Sequence, residues 1–110
     1  MAEDYTPEQA AALHQAGEIR LVDVRAAHEH AAGHIAGTDL IELGELPARA
    51  GEIERERPVV FYCRSGGRSA MATEAFLKGG YDAHNMAGGM LAWAAAGLPI
   101  DPADGHVAEP

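Results

Sequence analysis

The sequence predicts an α/β domain: a central parallel β-sheet with helices on both faces. Three observations carry this. Short, β-branched apolar runs alternate along the chain with segments of helical periodicity, which is the order that builds a parallel sheet. Glycine and proline stand between these segments, where turns are required. No internal repeat or linker divides the 110 residues, a length that suits a single core. The domain is expected over residues 1–100, with 101–110 as a flexible tail.

The elements follow in order. "TPEQAAALHQAG" reads as an opening helix, with Thr6 as N-cap, Pro7 in the first turn, Gln9 at capping-box spacing and Gly17 as the stop. Ile19 to Val22 form a buried strand, and "AAHEHAAG" a brief helix ended by Gly33. "TDLIEL" alternates as a second strand, while Leu46, Ala50 and Ile53 recur at helical spacing. Pro58 introduces "VVFY", the most strand-like run, which stops at Cys63. A helix is predicted from Arg68 to Lys78, closed by Gly79 and Gly80. "YDAHNM" gives the last strand and "GGMLAWAAAG" the last helix, stopped by Gly97 and Pro99. "DPADGHVAEP" has no periodicity, the basis for expecting a tail.

Composition removes several classes of function. Eight Lys and Arg against seventeen Asp and Glu leave a net charge of −9, which disfavours nucleic acid and anionic membrane surfaces as partners. No apolar run is long enough to span a bilayer. The acidic, polar opening "MAEDYTPEQ" does not suit a secretory signal, and a lone cysteine has no internal disulfide partner, so the cytoplasm is expected.

That cysteine lies in "VVFYCRSGGRSAMATEAF". In a parallel sheet, sites form beyond the C-terminal ends of strands, and Cys63 sits at such a junction. Free cysteine titrates at about 8.5, and three features favour its anion here. Arg64 and Arg68 bring positive charge. The following helix presents unpaired N–H groups. Gly66 and Gly67 let successive amides turn inward as a nest. A cysteine at a strand end is often only a small buried hydrophobe, but Arg-Ser-Gly-Gly-Arg is no packing sequence. The chemistry requires a thiol that is ionised near neutral pH and reachable from water.

Other candidates support the loop. Asp23 and Arg25 end the first strand, and Arg25 and Glu29 have the spacing of a helical ion pair. Ser65 and Ser69 can bond the loop backbone or cap the helix. His28 and His30 point to different helix faces, only His30 and His34 share one, and no further ligand completes a set. Neither metal nor cofactor is expected. Met71, Phe76, Leu77, Met90 and Trp93 read as core.

"CRSGGRS", preceded by "PVVFY", resembles the active-site loop of a single-domain rhodanese, a thiosulfate sulfurtransferase. "LVDVRAAHEHAAGHIAGTDLIEL" resembles that family's first signature and "MAGGMLAWAAAGLPI" its closing segment, so the match runs from about Thr6 to Ile100. The resemblance implies a rhodanese-like fold and a persulfide on Cys63, loaded from a small anionic sulfur donor and unloaded to cyanide or to a thiol, including a protein thiol. It implies that Arg64, Ser65, Gly66, Gly67, Arg68 and Ser69 bind the donor. It further implies that Asp23 shapes the floor, that Arg25 pairs with Glu29, and that His34 fixes a turn.

Two alternatives differ in class. One is a cysteine-dependent phosphatase or arsenate reductase; the cell-cycle dual-specificity phosphatases, which resemble rhodaneses in fold, have five residues between Cys and Arg. Cys63 and Arg68 enclose only Arg64, Ser65, Gly66 and Gly67, a tighter cradle suited to one sulfur atom. Non-catalytic modules of this fold commonly lose the cysteine, which this chain keeps. Arg64 also departs from the small residue that follows cysteine in mercaptopyruvate-using relatives, and so favours thiosulfate or a persulfide donor.

Overall fold

The computed structural model describes residues 3–110. Helix α1 (Pro7–Gln15) begins with the predicted capping box: Thr6 Oγ1 accepts from the Gln9 amide at 3.1 Å, and Gln9 Oε1 accepts from the Thr6 amide at 2.9 Å. Strand β1 (Arg20–Asp23) follows, then α2 (Ala27–Ala32), β2 (Asp39–Leu40) and α3 (Leu46–Arg49). After β3 (Val59–Tyr62) come α4 (Gly67–Lys78), β4 (Ala83–Asn85) and α5 (Gly89–Ala95). The four strands are parallel in the order β2-β1-β3-β4. Every residue of β3 is buried, as a strand covered on both faces must be.

Side chains alternate to two cores. Val22, Val59, Phe61 and Ala83 face one side, where they meet Leu46, Ala72 and Phe76 from α3 and α4. Leu21, Val60 and Tyr62 face the other, against Ala10, Met90 and Trp93 from α1 and α5. The doubly covered parallel sheet is therefore the one the sequence predicts. No helix among the described residues is long and apolar enough to cross a membrane.

Differences from expectation are local. β1 lies one residue later than Ile19–Val22, because the Arg20 amide bonds Pro58 O and brings Asp23 into the ladder. Only two residues of "TDLIEL" pair as strand, since Ile41 dips into the core and the chain tightens into a 3₁₀ turn at Leu43–Glu45. The Leu46–Ile53 periodicity yields one α-turn between 3₁₀ turns, not a full helix. Leu46 and Ile53 are nevertheless buried as predicted, whereas Met71 and Leu77, read as core, are exposed.

Residues 101–110 form no helix or strand but run against the domain. The His34 and Asp101 backbones exchange two hydrogen bonds, at 3.0 and 2.8 Å, and the His106 amide donates to Ala32 O at 3.0 Å. Val107 packs on the second core. Gly33 permits the passage: a Cβ there would stand 2.5 Å from His106 O.

Candidate active site

β1, β3 and β4 end on the same side of the sheet, so Asp23, Cys63 and Asn85 are brought to one end of it by parallel register. Beyond β3 the chain turns at Gly66, whose φ of 110° belongs to glycine alone, and enters α4. That turn aims amides back at the sulfur. The Gly66 N–H donates to Cys63 Sγ at 3.1 Å, the Ser69 N–H at 3.4 Å, and the Ser69 hydroxyl lies 3.3 Å away. The carbonyls of Cys63 and Arg64 point away from the cradle, where they accept from the Met90 and Leu91 amides at 2.8 and 3.0 Å. α5 thus holds the loop by its outer edge. Gly89 makes the approach possible, since a Cβ there would meet Cys63 O at 2.4 Å.

Burial opposes ionisation of the Cys63 thiol. The Ser69 hydroxyl and the amides of Ser69, Gly66 and Ser65 outweigh it and hold the thiol below its ordinary value. The anion-favouring loop predicted from sequence is present, but its agents differ. Amides and a hydroxyl dominate, not the two arginines. The thiol is also less open than expected: Cys63 is only 1% exposed, at the bottom of a cradle whose outer residues, Ser65 and Gly67, are exposed. A reagent must come end-on or the loop must open.

Arg68 sits against Glu29. Its Nη1 and Nη2 each donate to one carboxylate oxygen at 2.8 Å, and this contact drives the Glu29 carboxyl below, and the Arg68 guanidinium above, their ordinary ranges. Glu29 Oε2 also accepts from the Ala26 amide at 3.0 Å, at the start of α2. The expected Arg25–Glu29 pair is therefore corrected. Arg25 precedes α2, so helical spacing does not apply. Its Nε and Nη2 lie 2.9 and 2.7 Å from the Asp23 carboxylate, and Nη2 also donates to Gly33 O. Asp23, Arg25 and Glu29 are wholly buried. The first two are joined by His30, whose Nδ1 lies 2.8 Å from Asp23 Oδ2 and whose ring stacks on His34.

Arg64 is half-buried, and its Nε donates to Ala108 O at 3.2 Å. His28 Nε2 contacts Glu109 O at 2.9 Å, so the 101–110 segment reaches the edge of the site. Gly67 is the first residue of α4, and it and Ser65 are exposed.

One residue escaped the sequence reading. Asn85, at the end of β4, places Oδ1 2.6 Å from Ser69 Oγ and Nδ2 3.3 Å from Gly66 O. Its polarity made no distinct signal, because β4 also carries His84 and follows Asp82. A separate apolar cavity of about 520 Å³ lies between α3 and α4, lined by Leu46, Met71, Phe76 and Tyr81 among others. It includes no residue of the cysteine loop.

Comparison with known proteins agrees with this geometry. A family model described as the rhodanese-like domain matches residues 6–96. A sulfurtransferase of Allochromatium vinosum is 42% identical over 84 residues, covering 76% of this chain and 78% of that protein. The HTH-type transcriptional regulator Rv0324 of Mycobacterium tuberculosis is 42% identical over 90 residues, 79% of this chain, but the chain spans only 39% of that protein's length. Among solved structures, a rhodanese-related protein of Thermoplasma volcanium superposes with a TM-score of 0.83 at 26% identity, covering 89% of this chain and 96% of the other. The chain belongs to the rhodanese-like domain family, whose members include sulfurtransferases.

Proposed function

We propose that this protein transfers sulfane sulfur through a persulfide on Cys63, with thiosulfate or a related persulfide as donor and cyanide or a thiol as acceptor. The observation that carries this reading is the cradle: a single sulfur atom surrounded by inward N–H donors within a four-residue loop. The Cys63 thiolate attacks the outer sulfur of thiosulfate. The sulfur–sulfur bond of the donor breaks, and sulfite leaves with the electron pair. Cyanide then attacks the terminal sulfur, thiocyanate departs, and the Cys63 thiolate is regenerated. The loop amides stabilise the negative charge on whichever sulfur carries it.

The narrow, buried position of Sγ suits a slender donor that presents one sulfur end-on. Arg64, held at Nε by Ala108 O, is the loop cation assigned to the donor's sulfonate end; the amides of Ser65, Gly66, Gly67 and Ser69 line the path. Arg68 supports the loop through Glu29. The loop length weighs against a phosphatase: only four residues separate Cys63 from Arg68, a tighter cradle than phosphoryl transfer needs. With no second cysteine in the chain, the persulfide discharges to an external acceptor. An acidic protein of the cytoplasm, without nucleic-acid or membrane partners, fits this role.

The test is steady-state kinetics with thiosulfate and cyanide varied together. Parallel double-reciprocal lines are expected for a two-step covalent cycle. Intersecting lines, or hydrolysis of a small aryl phosphate with no thiocyanate formed, would overturn the proposal.

A further inference from the structure

The Ser69 hydroxyl carries one proton and has three acceptors around it. Asn85 Oδ1 lies at 2.6 Å, Gly66 O at 3.2 Å and Cys63 Sγ at 3.3 Å. Ser69 is wholly buried, so water does not supply a second donor at this point. The orientation of the Asn85 amide is fixed by its other end. Nδ2 donates to Gly66 O at 3.3 Å, and turning the amide over would set Oδ1 against that carbonyl, acceptor to acceptor. Asn85 therefore presents to Ser69 an oxygen that can only accept. Two oxygens 2.6 Å apart need a proton between them, and Ser69 must provide it.

Two states of the site follow. While Cys63 is protonated, its S–H can donate to Ser69 Oγ and the Ser69 hydroxyl to Asn85 Oδ1, in one consistent chain. When the Cys63 proton leaves for solvent, the Ser69 hydroxyl must swing toward the sulfur, and Asn85 Oδ1 loses its donor. If the hydroxyl stays on Asn85, its lone pairs face the thiolate. Either way the Asn85 carbonyl competes with the anion for the same proton.

We propose that Asn85 is a positioning residue that restrains ionisation of Cys63 by competing for the Ser69 hydroxyl. This rests on Cys63 being the reacting thiol, as in the function proposed above, but not on the identity of the sulfur donor. The consequence is graded control. The backbone amides favour the anion, whereas the serine's contribution is shared with Asn85 and becomes available to sulfur only when negative charge is there to compete for it. A group that releases its donor on demand suits a centre that passes between thiol, thiolate and persulfide.

The chain's single cysteine makes the test direct, because thiolate absorbance and alkylation by iodoacetamide report one residue. Titrations compare the unchanged protein, Asn85→Ala, Asn85→Asp, Ser69→Ala and the Ser69→Ala/Asn85→Ala double variant. Asn85→Ala is expected to move the thiol midpoint acidward by about half a pH unit or more, because the hydroxyl is released to sulfur. Asn85→Asp should move it the opposite way, since a carboxylate holds the serine proton more firmly and repels the thiolate. Ser69→Ala should raise the midpoint, and adding Asn85→Ala to it should change nothing further. General loosening of the loop would not give opposite signs at one position, nor a shift that vanishes in the Ser69→Ala background. An unchanged or raised midpoint in Asn85→Ala, or the same shift in both backgrounds, overturns the proposal. If this pattern holds but thiosulfate does not load Cys63, the proposed function fails and this inference stands. The reverse result fails the inference alone.

Discussion

Both terminal nitrogens of Arg68 lie 2.8 Å from the carboxylate oxygens of Glu29, a residue 39 positions away and fully buried. The last arginine of the cysteine loop is therefore a strut between α4 and α2. A bidentate guanidinium–carboxylate contact fixes orientation as well as distance, and here it ties the start of the post-loop helix to α2, whose His30 contacts Asp23.

Replacing Glu29 with Gln keeps an acceptor for the Ala26 amide but removes the charge opposite Arg68. The expected cost is about 1.5–3 kcal/mol, read as a lower denaturation midpoint at neutral pH. The pH dependence has a definite sign. The Glu29 carboxyl is depressed in the folded state, chiefly by the Arg68 contact, so its contribution is complete above the ordinary glutamate range and is lost as pH falls through the depressed value. Denaturation curves of the unchanged protein and Glu29→Gln should stay apart at pH 5 and converge only in stronger acid. Convergence above pH 5 would contradict the pairing.

The two loop arginines should behave differently on removal. Arg64→Ala loses a cation held by a backbone carbonyl and exposes no buried charge, so it should raise KM for thiosulfate several-fold with little loss of stability. Arg68→Ala strands the buried Glu29 carboxylate and should lower the melting temperature as well as the turnover. Equal effects of both on KM, with no effect on melting, would show that the contacts do not divide their roles.

Gly89 is predicted to be intolerant of any side chain. At φ 57° an alanine Cβ would stand 2.4 Å from Cys63 O and 2.7 Å from Arg64 O. Gly89→Ala should cost more than about 2 kcal/mol and abolish sulfur loading. Gly17, at φ 72° with nothing within 4 Å of the same added atom, is the control. Gly17→Ala should cost only the left-handed strain, about 1–2 kcal/mol, and leave loading intact. Denaturation and loading of the two variants, measured side by side, check this.

The rate of sulfur loading should fall as pH is lowered through the Cys63 midpoint, because only the thiolate attacks. Hydrogen bonds from Ser69, Gly66 and Ser65 outweigh burial, so that midpoint lies below the ordinary value of a thiol. A rate profile from pH 5 to 10 with its acid limb above that of a free thiol measured alongside would mean that burial prevails.

Part of this architecture was legible in the chain. The Thr6–Gln9 box, the stop at Cys63 and the Gly66–Gly67 turn are local signals, because each depends on residues close in sequence. The doubly covered sheet follows from the alternation of strand and helix. The charge pairing was not legible. Arg68 could meet any acidic residue that topology brings near, and helical spacing pointed Glu29 at Arg25, which lies before the helix begins. The Arg64 contact was hidden for another reason, since its acceptor is the main-chain oxygen of Ala108 and no side chain announces it. Thiol exposure was misjudged because polarity of the loop says nothing of depth: its outer residues face water while the sulfur sits beneath them.

The central claim is that Cys63 carries the transferred sulfur, and intact mass spectrometry after incubation with thiosulfate tests it most directly. The account predicts a gain of one sulfur atom, discharged by cyanide with formation of thiocyanate and absent from Cys63→Ser. An unmodified mass after exposure to thiosulfate and to a small-molecule persulfide, or the same gain in Cys63→Ser, would contradict it.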